Sequence, residues 1–124
     1  MLPTGQTKLN GEEYMTERQK QSQFAKMVAQ LILKAYELGY EITLGEAFRP
    51  QWVADKYAEE GKGSRNSFHT RKLAIDLNLF KNGEWLSDTE DHRELGEWWE
   101  SIGGTWGGRF KRPDGNHYSY LEGK

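Results

Sequence analysis

The segment 73–80 constrains the fold most, because it is the most apolar stretch with strand periodicity and yet carries a carboxylate at its centre. Its alternate positions are all aliphatic: Leu73, Ile75, Leu77 and Leu79. This period of two predicts a strand with one face in a core. Asp76 lies on the other face, and an uncompensated carboxylate in an apolar setting costs several kcal/mol or becomes protonated. We therefore expect a cation or several donors to face Asp76, although a salt bridge or an exposed sheet face would also satisfy it.

A long amphipathic helix is predicted over residues 17–38. It ends at Gly39, which can adopt the left-handed conformation that stops a helix. Its apolar residues recur with helical spacing: Phe24, Val28, Leu31, Ile32 and Ala35. The alternation over 40–44 predicts a strand. A short second helix is predicted from Pro50 to about Glu60, since proline is tolerated in a first helical turn.

The C-terminal half predicts a hairpin, a third helix and two short strands. Asn82-Gly83 is a favoured pair for a type I′ turn and follows the central strand directly. The remaining predicted elements are a strand over 84–86, a helix that ends at Ile102 and is capped by Ser87 or Thr89, and strands over 105–110 and 117–120. Together these elements predict an α+β domain with about three helices against a small antiparallel sheet.

Length and composition limit both the architecture and the chemistry. The chain has 124 residues, which suits one domain over 1–124, with 1–12 as a loose lead-in. It has no Cys and three His, so His, Asp and Glu are the strong metal ligands available. A net charge of −2 provides no electrostatic footprint for nucleic acid. We find neither a membrane span nor a secretory signal, and expect a monomer made in the cytoplasm without membrane insertion.

Two histidines and a second aspartate complete a possible metal site. His69 precedes Asp76 by seven residues, so the two side chains can meet only if the chain turns between Thr70 and Lys72. Near the C-terminus, Asp114 precedes His117 by three. A catalytic zinc site needs three protein ligands of this type, an open position and a nearby carboxylate.

Each of these residues also has a purely structural interpretation. Asp114-Gly115 is a favoured turn pair, and His117 could be an ordinary, partly buried histidine. Trp106, beside two glycines, could line a cleft or belong to the core. His92 lies among charged residues, a pattern typical of a solvated helix start.

The pattern Ser67-x-His69-x6-Asp76, followed by Asp114 and a final His117, resembles the zinc D-alanyl-D-alanine carboxypeptidase and L-alanyl-D-glutamate endopeptidase superfamily. Its phage members, the endolysins, have similar C-terminal motifs, Trp-Gly-Gly-Arg-Phe at 106–110 and Asp-Gly-Asn-His at 114–117. Residues 45–49, Gly-Glu-Ala-Phe-Arg, resemble the segment that carries the family's arginine. Two departures stand out: Lys72 replaces a common glycine, and Tyr118 replaces the usual Phe.

The resemblance implies a fold like that of the hedgehog and DD-peptidase proteins, and a role for each residue. Zinc (Zn²⁺) would be held by His69, Asp76 and His117. Asp114 would act as general base and then general acid, and Arg49 would stabilise the oxyanion. Ser67 would contact the substrate, and its alternative role is to cap a loop. Trp106 is a further candidate for substrate contact because of the adjacent glycines, not because of the resemblance. Without the resemblance, the sequence would be equally consistent with Arg49 as a surface residue.

The function implied by the resemblance is zinc-dependent hydrolysis of an amide bond in the peptidoglycan stem peptide. We expect the L-Ala-D-Glu bond to be cut by a phage lysis enzyme, which reaches the cell wall after the membrane is permeabilised or is carried there on a virion. A D-Ala-D-Ala carboxypeptidase would use the same residues. A module that binds zinc or cell wall without turnover is the alternative from another class.

Overall fold

The computed structural model describes residues 8–9, 12–13 and 15–121. Its helices are α1 (Glu17–Glu37), α2 (Gln51–Glu59) and α3 (Arg93–Ser101). Its strands are β1 (Lys8–Leu9), β2 (Glu12–Glu13), β3 (Glu41–Leu44), β4 (Ala74–Lys81), β5 (Glu84–Leu86), β6 (Thr105–Trp106) and β7 (His117–Ser119). The predicted α+β class is confirmed. Within the lead-in expected over 1–12, β1 pairs with β2, and the other residues lie outside the described ones.

Strand β4 is the centre of a five-stranded antiparallel sheet. Leu79 pairs with Ile42 of β3 on one edge and with Leu86 of β5 on the other. The first half of β4 pairs instead with β7, which in turn pairs with β6. Because β4 is longer than its neighbours, it contacts three strands and connects distant parts of the chain.

Local signals account for most element boundaries. Thr16 forms the capping box that begins α1, and Gly39, at φ +94°, follows its end. Asn82 and Gly83 both have positive φ, as a type I′ turn requires. The predicted cap of the third helix was wrong, because Asp88 caps a short 3₁₀ turn that leads into α3.

The apolar face of β4 packs against α1 and α3 to form the core. Leu77 and Leu79 are fully buried there, together with Leu31 of α1 and Trp99 of α3. The opposite face of β4 carries Asp76, which is half-buried. No helix among the described residues is long and apolar enough to cross a bilayer. The predicted strand 105–110 is shorter than expected, since a 3₁₀ turn replaces it after Trp106.

Candidate metal centre and active-site cleft

A sharp turn brings His69 to Asp76, as their spacing required. His69 lies in a one-turn 3₁₀ helix, Phe68–Arg71, and Lys72 then adopts φ +60° and ψ +35°. This left-handed conformation is unfavourable for a residue with a Cβ, which explains why glycine is common at this position in the family that the sequence resembles. The chain therefore makes the turn at Lys72 with some backbone strain.

Strand register brings His117 to the same point. Asp76 of β4 is directly opposite His117 of β7. The Nε2 atom of His69 lies 3.2 Å from Oδ1 of Asp76, and Nδ1 of His117 lies 3.7 Å from the same oxygen. One donor atom from each residue falls within 4.8 Å of the others. Two neighbouring segments, which carry His69 and Asp76, and the distant C-terminal strand thus converge on one small volume.

These donors fit a zinc ion. Ligands about 2.1 Å from a tetrahedral zinc lie about 3.4 Å apart, which is close to the two measured separations. The Oδ1 atom of Asp76 is buried and has no hydrogen-bond partner among the described residues, so its lone pairs are available to a cation. Burial alone would raise the pKa of Asp76, but the facing imidazoles of His117 and His69 outweigh it and lower the pKa from 3.8 to about 2. The carboxylate therefore stays ionised, as a metal ligand must.

The three side chains lie in a cleft of about 830 Å³. Asp114 lies on its wall, with Oδ2 4.0 Å from Nδ1 of His117 and about half of the side chain exposed. Arg49 also lines the cleft and is largely buried, with its guanidinium stacked over Tyr57 at 5.1 Å. The rim carries the cations Lys62, Lys111 and Arg112. An open cleft with three possible metal-ligand atoms on its floor and a carboxylate and a guanidinium on its walls can bind and polarise a substrate.

Burial raises the pKa of Asp114, although the neighbouring His117 charge opposes the shift. The carboxylate of Asp76 adds to the increase. A raised pKa brings a carboxylate closer to the pH at which it can both accept and return a proton. Asp114 therefore differs from Asp76, whose pKa moves in the opposite direction only a few ångströms away.

Known proteins resemble this chain both in the sequence of its C-terminal half and in fold. Residues 60–120 match the profile of a family described as D-alanyl-D-alanine carboxypeptidase. The fold is similar to the Serratia marcescens L-Ala D-Glu endopeptidase ChiX, with a TM-score of 0.63 and 17% identity over 77% of this chain and 78% of that one. It is also similar to a mutant of the vancomycin resistance D,D-pentapeptidase VanY in complex with Zn(II), with a TM-score of 0.57 and 17% identity over 96% and 79%. Residues 60–120, which carry the three donor residues and Asp114, thus resemble the D-alanyl-D-alanine carboxypeptidase family, and the fold of the chain is that of the two structural relatives. No curated protein sequence matches the chain.

The predicted DD-peptidase fold is confirmed by these structural relatives. Ser67 lines the cleft but is also structural, because its Oγ accepts a hydrogen bond of 3.2 Å from the backbone N–H of His69. The hydroxyl proton remains available to a substrate. The capping role is therefore present, and a substrate contact by Ser67 is compatible with it.

Trp106 does not line the cleft, which corrects the expectation that it contacts substrate. Its side chain is fully buried, and its ring fills the space left by two glycines. A Cβ on Gly96 or Gly108 would lie 2.2 or 2.3 Å from that ring. The indole N–H donates a 2.7 Å hydrogen bond to the carbonyl of Gly115. From the core side, Trp106 thus stabilises the turn that carries Asp114.

His92 was expected at the surface and is instead buried. Only 2% of the residue is exposed, and its Nδ1 lies 2.8 Å from the hydroxyl of Tyr118. The 3₁₀ turn that Asp88 caps directs the ring inward while the charged neighbours remain outside. His92 is therefore a structural residue behind the strand that presents His117.

Sequence reasoning missed Glu46, whose Oε1 lies 3.7 Å from Nδ1 of His69. The same oxygen accepts hydrogen bonds from the guanidinium of Arg49, at 2.9 Å from Nε. The available sequence signal was the separation of three residues between Glu46 and Arg49. That separation brings two side chains together only in some backbone conformations, so it did not by itself predict the ion pair.

Proposed function

We propose that this protein is a zinc peptidase that hydrolyses an amide bond of the peptidoglycan stem peptide, with zinc held by His69, Asp76 and His117. The observation that carries the proposal is the convergence of three donor atoms on the floor of an open cleft. The walls of that cleft present Asp114 and Arg49. The names of the family and of both structural relatives support a peptidase with this class of substrate.

In the proposed reaction Asp114 moves the protons. Zinc, when bound, supplies a Lewis acid and lowers the pKa of water toward 7. The carboxylate of Asp114 takes a proton from the attacking water and later gives it to the leaving amine. Its partly exposed position allows it to reach both, and its raised pKa favours the second transfer.

Arg49 is placed to stabilise charge on the carbonyl oxygen of the substrate. Its guanidinium is largely buried and fixed by Glu46 and by the ring of Tyr57, so little reorganisation is needed during the reaction. Loss of one such preorganised donor typically costs 10²–10³ in rate. The hydroxyl of Ser67, on the same side of the cleft, would donate to the substrate backbone.

The preferred bond in this proposal is L-Ala-D-Glu. When D-Glu continues the stem through its γ-carboxyl group, its α-carboxylate lies next to the scissile amide. The cationic rim formed by Lys62, Lys111 and Arg112 suits such an anion. Similarity to ChiX, an L-Ala D-Glu endopeptidase by name, supports this preference.

A D-Ala-D-Ala carboxypeptidase is the second candidate. The matched family profile bears that description, and the terminal D-Ala carboxylate would suit the same rim. Mass spectrometry of digested muropeptides separates the two functions. Cleavage between L-Ala and D-Glu supports the endopeptidase, whereas release of free D-Ala would refute it.

The base assignment is tested by Asp114→Asn, which keeps the size of the side chain. We expect hydrolysis to fall by about 10²–10⁴. Asp55→Asn is the matched control, since Asp55 is a surface residue of α2 whose weak ion pair with Arg65 spans 3.8 Å. Full activity of Asp114→Asn would exclude it as the base. No hydrolysis by the zinc-loaded wild type would favour a silent binding module.

We further propose a role in phage lysis, on the basis of the endolysin-like motifs at 106–110 and 114–117. In this role the enzyme reaches the cell wall after the membrane is permeabilised. Expression in bacteria should cause lysis only when the membrane is also permeabilised, and Asp114→Asn should abolish that lysis. Intact cells after permeabilisation would refute the lytic role.

A further inference from the structure

Glu46 is anchored beside the metal centre by its backbone. The N–H of Gly45 donates to the carbonyl of Asp76 at 2.8 Å, and the N–H of Asp76 donates to the carbonyl of Glu46 at 2.9 Å. A Cβ on Gly45 would lie 2.9 Å from the Asp76 carbonyl oxygen, so only glycine permits this approach. The segment that carries Glu46 is therefore fixed to the strand that carries Asp76.

The carboxylate of Glu46 faces the ring nitrogen of His69 that points away from the donor cluster. With Nε2 of His69 directed at Asp76, the proton of a neutral ring belongs on Nδ1. That Nδ1 atom is buried and has no hydrogen-bond partner among the described residues. Its separation of 3.7 Å from Oε1 of Glu46 exceeds a direct hydrogen bond by about 0.5 Å.

The same carboxylate oxygen also holds Arg49. Both Nε and Nη2 of Arg49 donate to Oε1 of Glu46. The backbone N–H of Arg49 in turn donates to the carbonyl of His69 at 3.0 Å. One carboxylate thus lies between the imidazole of His69 and the guanidinium of Arg49.

We infer that Glu46 is a positioning residue that acts on zinc binding through His69. Its carboxylate selects the tautomer of His69 with the proton on Nδ1, which leaves Nε2 free for the metal. Carboxylates that accept from a metal-bound histidine orient its ring and raise its basicity, and their loss typically costs 10–100-fold in metal affinity or activity. The inference rests on the zinc ligands of the proposed function and adds a residue that the family resemblance did not assign.

Zinc affinity, measured by competition with a chromophoric chelator, tests this inference without any assay of hydrolysis. Glu46→Gln should weaken zinc binding 10–100-fold. Glu46→Asp, which keeps the charge, should recover part of the loss. Glu84→Gln is the matched control, because Glu84 is exposed in the β4–β5 hairpin, and it should bind zinc as the wild type does.

Arg49→Gln separates a direct effect on His69 from an indirect one through Arg49. If Glu46 acts on His69 directly, Arg49→Gln should bind zinc within threefold of the wild type. The double variant should then bind no more weakly than Glu46→Gln alone. Equal losses of affinity in Arg49→Gln and Glu46→Gln would overturn the inference.

Nitrogen-15 NMR of the His69 ring provides a readout that a general loss of packing would not produce. In the zinc-loaded wild type, the proton should reside on Nδ1 and exchange slowly with water. In zinc-loaded Glu46→Gln it should exchange faster, because a neutral amide is a weaker acceptor than a carboxylate. Unchanged zinc affinity and unchanged Nδ1–H exchange in Glu46→Gln would refute the inference and leave the proposed hydrolysis standing. Failure of the wild type to cut stem peptides would refute that function and leave the effect of Glu46 on zinc intact.

Discussion

Acid should destabilise this fold through His92. Burial lowers the pKa of His92 from 6.5 to about 4, and the charge of Asp91 and a backbone hydrogen bond to Leu86 offset only part of the shift. The folded protein therefore keeps the ring neutral at pH values where the unfolded chain protonates it. The stabilisation is complete above pH 6.5 and is lost as the pH falls toward 4. A shift of about 2.5 units corresponds to about 3 kcal/mol.

Urea unfolding of metal-free wild type and His92→Gln, at several pH values from about 7.5 to about 4, measures this contribution. Glutamine keeps a polar side chain but cannot take up a proton. Other titrating groups affect both proteins alike, so their effects cancel in the difference between the two free energies of unfolding. We expect the advantage of the wild type to shrink by about 1.4 kcal/mol per pH unit below 6.5.

A difference that stays constant across this range would refute the reasoning, because it would mean that His92 has the same pKa in the folded and unfolded states. Tyr118→Phe tests the cause of the shift. Burial is the largest contribution, so the pH dependence should survive removal of the Tyr118 hydroxyl. Loss of the pH dependence in Tyr118→Phe would instead assign the shift to the hydrogen bond.

Three further predictions follow from backbone strain, packing and metal binding. Lys72→Gly should be more stable than Lys72→Ala by about 1 kcal/mol in urea unfolding, because both variants lose the amino group and only glycine relieves the positive φ; equal stabilities would contradict this. Gly96→Ala should lower the free energy of unfolding by about 2–3 kcal/mol, since its Cβ would overlap the ring of Trp106; an unchanged melting temperature would be the contrary result. Free zinc at a hundredfold excess over its Kd should stabilise the wild type by about 2.7 kcal/mol, roughly 10 °C in Tm, and His117→Ala should lose this shift.

The elements with strong local signals were predictable from the sequence. Alternation over β4, the stop at Gly39 and the turn at Asn82-Gly83 each reflect a backbone preference that tertiary contacts do not override. The convergence of the metal donors was expected from residue types and from the family resemblance. Their distances required the register of β4 against β7, which no local signal fixes.

The failures arose where the partner of a side chain is distant in sequence. The charged neighbours of His92 suggested solvent, but the 3₁₀ turn over 89–92 directs the ring toward Tyr118, 26 residues away. The glycines beside Trp106 suggested a ligand, whereas Gly108 makes room for the indole of Trp106 itself. Glu46 was missed because its contacts with His69 and Arg49 can be seen only in the folded chain.

The hydrogen bond from the Trp106 indole to Gly115 has a consequence for redesign. It ties the turn that carries Asp114 to the interior, and the neighbouring cleft residues Lys111 and Arg112 take no part in that bond. In the proposed function, the residues that select the substrate and the residue that moves the protons then lie in adjacent stretches of one loop. Libraries that randomise residues 111 and 112 should yield enzymes with new selectivity while the reacting groups keep their places.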